Sequence, residues 1–466
     1  MNLEQIYTGC LAQGAYYISH RGEAAIIDPL REVGPYLERA EKNGDRIKYI
    51  FETHFHADFV SGHVDLSHKT GAPIIYGPNA QPAFEAHVAK DGEEFKLGGL
   101  TIRVLHTPGH TMESSCFLLL KEDGTPHCIF TGDTLFIGDV GRPDLAQKGS
   151  LTKEDLAGYL YDSLNNRIKP LPDSVIVYPA HGAGSACGKN MSKETFDTLG
   201  HQKRVNYALL ATTREQFVKE VTDGIAPPPA YFPLNVALNK GGAKSLDKVL
   251  ERGLKALSPD AFEAVVGSTG ALVLDTRAPQ TFKDGFVPKS INIGLKGDFA
   301  PWVGTLITDI EQPIVLVCDQ GSEQEAITRL SRVGYDNTLG YLEGGIDAWR
   351  AAGKDVDTIE SISAAEFAIR LRKQPLKVFD VRKPGEWEAG HVAAAEHVPL
   401  SELNAHMAGF SAQQPNYIHC QGGYRSMIAA SILKARGMDN VVDVAGGYGA
   451  ISRTDVRKAE GAGTTH

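Results

Sequence analysis

Six imidazole and carboxylate side chains lie close to the ends of apolar segments in this sequence. They are His54, His56, Asp58, His110, Asp133 and His181. Imidazole nitrogens and carboxylate oxygens are common ligands of zinc and iron in proteins. A single histidine at a strand end is more often a surface cap or a hydrogen-bonding partner in the core. Four strand ends that each deliver such a group favour a metal site.

A second reactive group is the thiol of Cys420, which follows the apolar segment NYIH and precedes the helical pattern MIAASILKARG. Aligned N–H groups at a helix N-terminus lower the pKa of a cysteine and favour the thiolate. Gly422 and Gly423 permit a tight loop, and Arg425 can pair with a sulfur oxyanion. We therefore predict that Cys420 and Arg425 are catalytic, and that Gly422, Gly423 and Ser426 contact the substrate.

Short strands and intervening helices must position these groups. Strands are predicted at AAIIDP, YIFETH, APIIYG, LTIRVLHT, CFLLL, HCIFTGDT and SVIVYPAHG, and helices at VGPYLERAEKNG and KEDLAGYLYDSLNN. This is an α/β layout with its polar clusters at strand ends. The three adjacent prolines at 227–229 predict a stiff extended connector after this region.

The C-terminal half contains a repeat with a period of about 100 residues, too long for a solenoid. LVLDTRAPQTFKDGFVPKSINI resembles KVFDVRKPGEWEAGHVAAAEHV, and Cys318 corresponds to Cys420. Each copy predicts a parallel sheet with the cysteine loop at a strand's C-terminal end. The first copy lacks the arginine and instead has Asp319, Glu323 and Glu325, which should raise the pKa of the thiol. We predict a degenerate copy that acts as a scaffold; the alternative is a weak thiol site for an uncharged or cationic acceptor.

The set of metal-binding motifs resembles the metallo-β-lactamase superfamily, which uses HxHxDH, a distant His, an Asp and a later His. The resemblance implies an αββα sandwich and a site for one or two metal ions. This chain has Phe59 where the superfamily motif ends in His, which implies that a second metal position is empty or weakened. The alternative is that the second metal is retained.

The remaining groups His54, His110 and Asp133 match the two-histidine, one-carboxylate triad of non-haem Fe(II) oxygenases. We predict one Fe(II) per chain at this triad. His56, Asp58 and His181 are then expected to orient the ligands, hold water, or bind metal themselves.

Within that superfamily, the segments ETHFHADFVSGH, TPGHT, TGDTLFIGDVGRPD and YPAHGAGSACGK resemble the persulfide dioxygenases. The resemblance implies that Fe(II) and O2 oxidise glutathione persulfide, or another small thiol persulfide, to sulfite and the free thiol. It also implies that Arg142 binds the substrate; a salt bridge to Asp144 or Asp139 is the alternative. Cys187 is expected to line the iron pocket, with an inert buried thiol as the alternative.

The Cys420 loop, together with its DVR and GHV motifs, resembles rhodanese, a sulfurtransferase with a CxxxxR loop. The whole chain is therefore similar to bacterial persulfide dioxygenase–sulfurtransferase fusions. This implies an α/β multidomain protein: a metallo-β-lactamase domain over 1–224, a Pro-rich linker over 225–245, a degenerate rhodanese-like domain over 246–355 and an active rhodanese domain over 356–466. In such a chain, sulfur passes through Cys420 to form or use thiosulfate.

Two other function classes stay open at this point. One is a thioester hydrolase of the glyoxalase II kind, in which two zinc ions activate water. The other is a non-enzymatic sulfur carrier or persulfide sensor with a structural metal. Phe59 argues against the first, and an intact triad and anion loop argue against the second.

Composition excludes several broad classes. The 466 residues carry a formal net charge of −10, so no general positive excess attracts nucleic acid. The apolar runs are much shorter than the roughly 18 residues of a membrane span, and the first residues lack a secretory pattern. Six cysteines are too sparse for a disulfide scaffold. We expect a cytoplasmic enzyme whose partners are a thiol persulfide, O2 and sulfite or thiosulfate, with a homo-oligomer left open.

Overall fold

The computed structural model describes residues 1–147 and 150–459, which form two compact units. The first unit is Met1–Leu246 together with the short segment Ser331–Gly334, and the second contains most of the chain from Asp247 onward. Within the described residues, no helix has the length and apolar character needed to cross a membrane.

The first unit contains two six-stranded sheets that follow each other along the chain. The first sheet has the order β1 to β6, with strands Asn2–Thr8, Gln13–His20, Glu23–Ile27, Arg46–Glu52, Ile74–Tyr76 and His87–Val88. The second has the order β12 to β7, with β7 to β12 at Glu94–Leu97, Leu100–His106, Ser115–Leu120, Pro126–Gly132, Ile176–Pro179 and Asp197–Thr198. Every residue of β9 is buried, which is why its sequence is a continuous apolar run.

Helices cover the outer faces of these two sheets. They are α1 Gly34–Asn43, α2 His63–Thr70, α3 Lys153–Ser163, α4 Leu199–Val205, α5 Tyr207–Leu210, α6 Arg214–Thr222 and α7 Phe232–Gly241, and a π-helical turn at Leu164–Ile168 extends α3. One buried cluster joins side chains of both sheets, including Phe51 and Phe117, while separate clusters join each sheet to its helices. The unit is therefore an αββα sandwich, as predicted.

The middle repeat is built on a five-stranded parallel sheet of order β13-β17-β16-β14-β15. Its strands β13 to β17 are Ala256–Leu257, Leu272–Asp275, Ile291–Asn292, Ile314–Val317 and Thr338–Leu342. Its helices α8 to α13 are Leu246–Gly253, Pro259–Thr269, Pro279–Phe282, Phe299–Leu306, Glu323–Ser331 and Gly345–Ala351.

The last repeat has the same strand order, β18-β23-β22-β19-β21, beside a small β20-β24 pair. Its strands β18 to β24 are Glu360–Ser363, Lys377–Asp380, His391–Val392, Ala395–His397, Asn416–His419, Val441–Ala445 and Lys458–Ala459. Its helices α14 to α17 are Ala364–Lys373, Pro384–Glu388, Tyr424–Ala435 and Gly447–Ile451, with 3₁₀ turns at Leu400–Ala405 and Met407–Gly409. The matching order confirms that the repeat is one small α/β domain used twice.

The same buried ion pair closes the first long strand of each copy. The Asp275 carboxylate accepts hydrogen bonds from the Arg277 guanidinium at 2.5–3.1 Å, and Asp380 accepts them from Arg382 at 2.6–2.9 Å. Each arginine also donates to a backbone carbonyl, so the pair is well compensated despite its burial. The DxR motif is therefore structural in both copies.

Two sequence expectations differ from the structure. The predicted linker over 225–245 is irregular only at first, because Phe232–Gly241 forms helix α7 with Pro233 in its first turn, where proline costs no hydrogen bond. The sequence of the last ten residues, RKAEGAGTTH, predicts a frayed tail, yet Lys458–Ala459 pairs with His391–Val392. The remainder of that tail, 460–466, lies outside the described residues.

Candidate functional site

Four loops bring the six predicted metal-site residues together. His54, His56 and Asp58 follow β4, His110 follows β8, Asp133 follows β10 and His181 follows β11. Each of the six is 5% exposed or less. The structure thus assembles in one buried region the residues that the sequence places up to 127 positions apart.

A triad of ligand atoms lies at the centre of this region. The Oδ2 atom of Asp133 is 3.4 Å from Nε2 of His110 and 3.8 Å from Nε2 of His54. The ligand atoms of the three residues all lie within 4.8 Å of one another. This is the geometry that one metal ion held by two imidazoles and a carboxylate requires.

Hydrogen bonds on the far side of each imidazole orient the triad. Nδ1 of His110 donates to the Arg142 carbonyl at 2.9 Å. Nδ1 of His54 is 3.0 Å from the Thr53 hydroxyl, which itself donates to Asp28 at 2.9 Å and so accepts from the imidazole. Both Nε2 lone pairs are therefore free to bind metal. Burial lowers the pKa of His54, which keeps its ring neutral.

Asp133 links the triad to His181. Its Oδ1 atom is 2.7 Å from Nδ1 of His181, whose Nε2 lies 2.9 Å from Asp58. Burial opposes charge on His181, but Asp133 and Asp58 outweigh it and raise its pKa to about 10. Burial likewise raises the pKa of Asp133, but His181, His54 and His110 together hold it well below its usual range.

The donor set fits a cation. Among the described residues, Asp133 Oδ2 and Asp58 Oδ1 are buried carboxylate oxygens without a hydrogen-bond partner. Such oxygens are costly unless something pairs with them. A metal ion among His54, His110 and Asp133 would supply the partner that Oδ2 lacks.

Phe59 is buried beside the metal region. Its ring centroid is 4.4 Å from that of His56 and 6.4 Å from that of His181. A hydrocarbon ring therefore stands where the HxHxDH pattern would place a third imidazole of this loop. The thiol of Cys187 forms a second group with Asp58 and His181 on that side, and burial raises its pKa.

His56 belongs to a separate buried group that the sequence reasoning did not anticipate. Its Nε2 lies 3.1 Å from Asp28 and 3.4 Å from Glu52, and Glu52 is also 3.1 Å from Nδ1 of His63. Glu52 ends β4 directly before the motif loop, and Asp28 directly follows the neighbouring parallel strand β3. A carboxylate at each of two neighbouring strand ends was the signal that could have identified this group.

Helix α7 supports the motif loop through one amide. The Asn239 side chain donates to the carbonyls of His56 and Phe59 at 2.8 and 2.7 Å and accepts from the Ser61 N–H at 2.8 Å. No local pattern indicates this role, because Asn239 lies in the predicted linker. The amide holds the backbone that carries His54 and Asp58.

Arg142 adopts the salt bridge named as the alternative. Its guanidinium donates to both carboxylate oxygens of Asp144, at 2.7 and 2.8 Å, and to the carbonyls of Ala186 and Ala226. Arg142 also lines a cavity of about 480 Å³ whose walls include Gly188, Lys189 and the 223–227 segment. Its backbone carbonyl and its side chain thus connect His110 to this cavity.

The Cys420 loop lies between β22 and α16, as predicted. The Gly423 N–H donates to the Cys420 sulfur at 3.1 Å, with Gly423 at a φ of +106° that favours glycine. The thiol lies 3.6 Å from the Ser426 hydroxyl, which donates to Asp443. Gly422 is in the same turn, and a side chain there would meet open space.

Arg425 has a partner that sequence reasoning missed. Its guanidinium donates twice to the Glu386 carboxylate, at 2.6 and 2.8 Å. A sulfur oxyanion therefore has to share Arg425 with this carboxylate. The middle copy lacks both members of the pair, since Thr281 and Glu323 stand at the corresponding repeat positions.

The cysteine loop of the middle copy differs from the Cys420 loop in its electrostatics. Burial raises the pKa of the Cys318 thiol to about 12, and Asp275, Glu323 and Asp319 add to this effect. Glu325, which we expected to act on the thiol, instead pairs with Arg329 at 2.6 Å. Burial raises the pKa of the Cys318 thiol more than the neighbouring carboxylates do.

We expect Gly141→Ala to weaken metal binding at least about tenfold, in line with losses seen when groups supporting metal ligands change. A Cβ at Gly141 would lie 2.0 Å from the Asp133 carbonyl oxygen and 2.9 Å from Nδ1 of His110. Metal titration of the purified variant checks this. Gly9→Ala is the control, because a Cβ there meets no atom within 4 Å; equal metal affinity in both variants would contradict the prediction.

A persulfide donor should label Cys420 rapidly and Cys318 slowly, because the Cys318 thiol is held protonated at neutral pH. Mass spectrometry of the two cysteine peptides after timed mixing measures this. Cys318→Ala should cost only about 1 kcal/mol of stability or somewhat more, from a small cavity. Equally rapid adducts on both cysteines would mean that the middle copy transfers sulfur.

The N-terminal region and the two repeats each match a known protein family. Residues 8–181 match the metallo-beta-lactamase superfamily, and residues 258–352 and 363–454 match the rhodanese-like domain. Two proteins of Schizosaccharomyces pombe named "Probable hydroxyacylglutathione hydrolase" are 35% and 34% identical, over 34% and 39% of this chain. The chain spans 59% of the length of the first and 68% of the second.

A solved structure is similar to this chain over a larger part of its length. The crystal structure of a metallo-beta-lactamase from Staphylococcus aureus is 30% identical, with a TM-score of 0.65, and the match covers 73% of this chain and 98% of that one. In this chain the motif residues of the first unit lie at strand ends, and the two repeats share one strand order. The chain belongs to the metallo-β-lactamase superfamily and carries two rhodanese-like domains after its metal-binding domain.

Proposed function

We propose that the first domain is an iron-dependent dioxygenase of small thiol persulfides and that the last domain is a sulfurtransferase. The observation that carries the proposal is Phe59, buried against His56 beside an intact triad of His54, His110 and Asp133. A triad that lacks the third imidazole of its motif supports one metal ion with open positions. A sulfur-carrying cysteine loop on the same chain supports a persulfide as the shared substrate.

The proposed overall reaction at the first site is RSSH + O2 + H2O → RSH + H2SO3. His54, His110 and Asp133 would hold Fe(II), which supplies redox chemistry and a binding position for O2 and sulfur. The hydrogen bonds from His110 to the Arg142 carbonyl and from His54 to Thr53 fix the ring orientations. His181, charged beside Asp133 and Asp58, provides a proton donor next to the triad.

The cavity lined by Arg142 and Gly188 is the proposed position of the thiol moiety. Its link to the triad is Arg142, whose backbone carbonyl accepts a hydrogen bond from His110. Because the Arg142 guanidinium is paired with Asp144, a substrate carboxylate would compete for it. The shape of this cavity, rather than a free cation, is therefore expected to select among glutathione, coenzyme A and bacillithiol persulfides.

In the C-terminal rhodanese-like domain, the proposed nucleophile is the sulfur of Cys420. The Cys420 thiolate attacks the outer sulfur of a donor RSSH and the donor's S–S bond breaks, so that RSH leaves with the donor's proton and Cys420 carries a persulfide anion. Sulfite then attacks that outer sulfur, thiosulfate forms, and the Cys420 thiolate returns. The Gly423 N–H stabilises negative charge on the sulfur, and Arg425 binds the sulfite or thiosulfate anion.

A thioester hydrolase with two zinc ions is the second candidate. The names of the curated relatives support it more than they support the dioxygenase. Asp58 and His181, which would hold a second ion together with Asp133, are present and close together. Metal content and substrate preference separate the two candidates.

The chain, loaded anaerobically with iron, should bind one iron and consume O2 with a thiol persulfide while releasing sulfite. His110→Ala should lose both iron and O2 uptake, because it removes one of three ligands. His68→Ala, an exposed histidine on α2, is the matched control. Two tightly bound zinc ions per chain, with hydrolysis of a hydroxyacylglutathione and no O2 uptake, would favour the hydrolase.

Cys420→Ser should abolish sulfur transfer from thiosulfate and leave O2 uptake and sulfite release largely intact, since different groups serve the two steps. An O2 electrode and a thiosulfate-dependent transfer assay on the same preparation measure both. Cys318→Ala is the control and should keep both activities. A parallel fall of O2 uptake in Cys420→Ser would mean that the two centres depend on each other.

A further inference from the structure

Tyr424 connects the active cysteine loop to the middle repeat. It lies between Gly423, whose N–H donates to the Cys420 sulfur, and Arg425. Its hydroxyl donates a hydrogen bond to the backbone carbonyl of Gly294, in the middle copy, at 2.7 Å. The residue between the two groups that act on sulfur is thus held by the other repeat.

The middle copy leaves room for the ring of this tyrosine. At Gly297, a Cβ would lie 2.8 to 3.2 Å from the Cζ, Cε2 and Oη atoms of Tyr424, closer than side chains normally approach. Gly297 also has a φ of +152°, which L side chains rarely adopt. At Gly294 a Cβ would touch the same ring at 3.4 Å. The ring therefore packs directly on the Gly294–Gly297 backbone.

A second contact fixes the same helix further along. The N–H of Asn292 in β15 donates to the Ser431 hydroxyl at 2.9 Å. Ser431 is seven residues after Tyr424 on α16, about two turns of helix. Strand β15 and the loop after it thus hold both the N-terminal end and the middle of the helix that follows the cysteine.

We propose that Tyr424 is a positioning residue and that the middle repeat, through Gly294 and Gly297, holds the Cys420 loop in its reactive shape. Gly422 and Gly423 give this loop unusual backbone freedom, and ordering it has an entropic cost. An anchor outside the loop limits that freedom and keeps the Gly423 N–H directed at the sulfur. The proposal rests on the sulfurtransferase function of Cys420, and it gives the catalytically degenerate copy a specific role.

The test uses the full chain with Tyr424→Phe, which removes only the hydroxyl. We expect kcat for thiosulfate-dependent transfer to fall about threefold to tenfold, the range that the loss of one hydrogen bond produces. KM should change less than twofold, because Arg425 and Glu386 remain. The alkylation profile of Cys420, which is the time course of its reaction with iodoacetamide measured by mass spectrometry of its peptide, should become slower as the Gly423 N–H loses its alignment.

The alkylation profile separates positioning from general stability. The titratable and charged side chains around the loop are Arg425, Glu386, Asp380, Arg382, His419 and Asp443, and Asp298 and Arg329 of the middle copy act on Tyr424. Tyr424→Phe alters none of these side chains. Tyr335→Phe is the matched control, because its hydroxyl donates to the Ile307 carbonyl within the middle copy. It should leave kcat and the alkylation profile as in the wild type.

Gly297→Ala offers an independent second variant, since its new methyl pushes the ring rather than deleting the hydroxyl. It should change kcat and the profile in the same direction as Tyr424→Phe. A wild-type kcat and profile in Tyr424→Phe, or equal losses in Tyr335→Phe, would overturn the proposal. Alkylation needs no sulfur donor, so a chain that transfers no sulfur would refute the proposed function without hiding the behaviour of the loop.

Discussion

The buried carboxylate of Asp133 is the charge around which the first domain is organised. One of its oxygens binds His181, and the other faces the Nε2 atoms of His54 and His110. A carboxylate this deep is tolerated only when it is paired. Its partners come from the loops after β4, β8 and β11, so the two sheets must pack in one register for the charge to be compensated. The αββα sandwich and the metal triad thus depend on each other.

The orientation of the triad depends in turn on groups that touch no metal. Thr53, Asp28 and the Arg142 carbonyl hold the outer nitrogens of the two imidazoles, and Asn239 holds the loop backbone. The lack of a Cβ at Gly141 leaves space for the Asp133 carbonyl. The positions of the three triad side chains therefore depend on the packing of the whole region. This is why a site of few ligand residues is surrounded by many buried polar contacts.

The two rhodanese-like copies share one fold but differ in the charges around the cysteine. Strand order and the buried aspartate–arginine pair are the same in both. The copies differ at the anion site, where Arg425 and Glu386 are replaced by Glu323 and Thr281. Since a fold does not by itself imply an activity, the electrostatics of one loop are what distinguish the copies.

Much of the architecture was predictable because it depends on local pattern. The strands at AAIIDP, YIFETH and CFLLL, and the helix at KEDLAGYLYDSLNN, are found where apolar periodicity placed them. The six metal-site residues were recognisable because each closes such a segment. The predicted linker contains the helix Phe232–Gly241, which the local pattern did not indicate because proline lies in its first turn. The strand pair at Lys458–Ala459 was missed because two residues carry no periodicity.

The residue types of the candidate sites can be read from the chain alone: the histidines and carboxylates of the candidate metal site, the cysteine loop and its copy without arginine. The motifs are recognisable because the residues of each motif are close along the chain. The pairings of Glu386 with Arg425, of Asp28 and Glu52 with His56, and of Tyr424 with Gly294 follow only from the three-dimensional packing. Those partners come from different elements, and the packing of the sheets and helices, which no local pattern encodes, sets the distances between them.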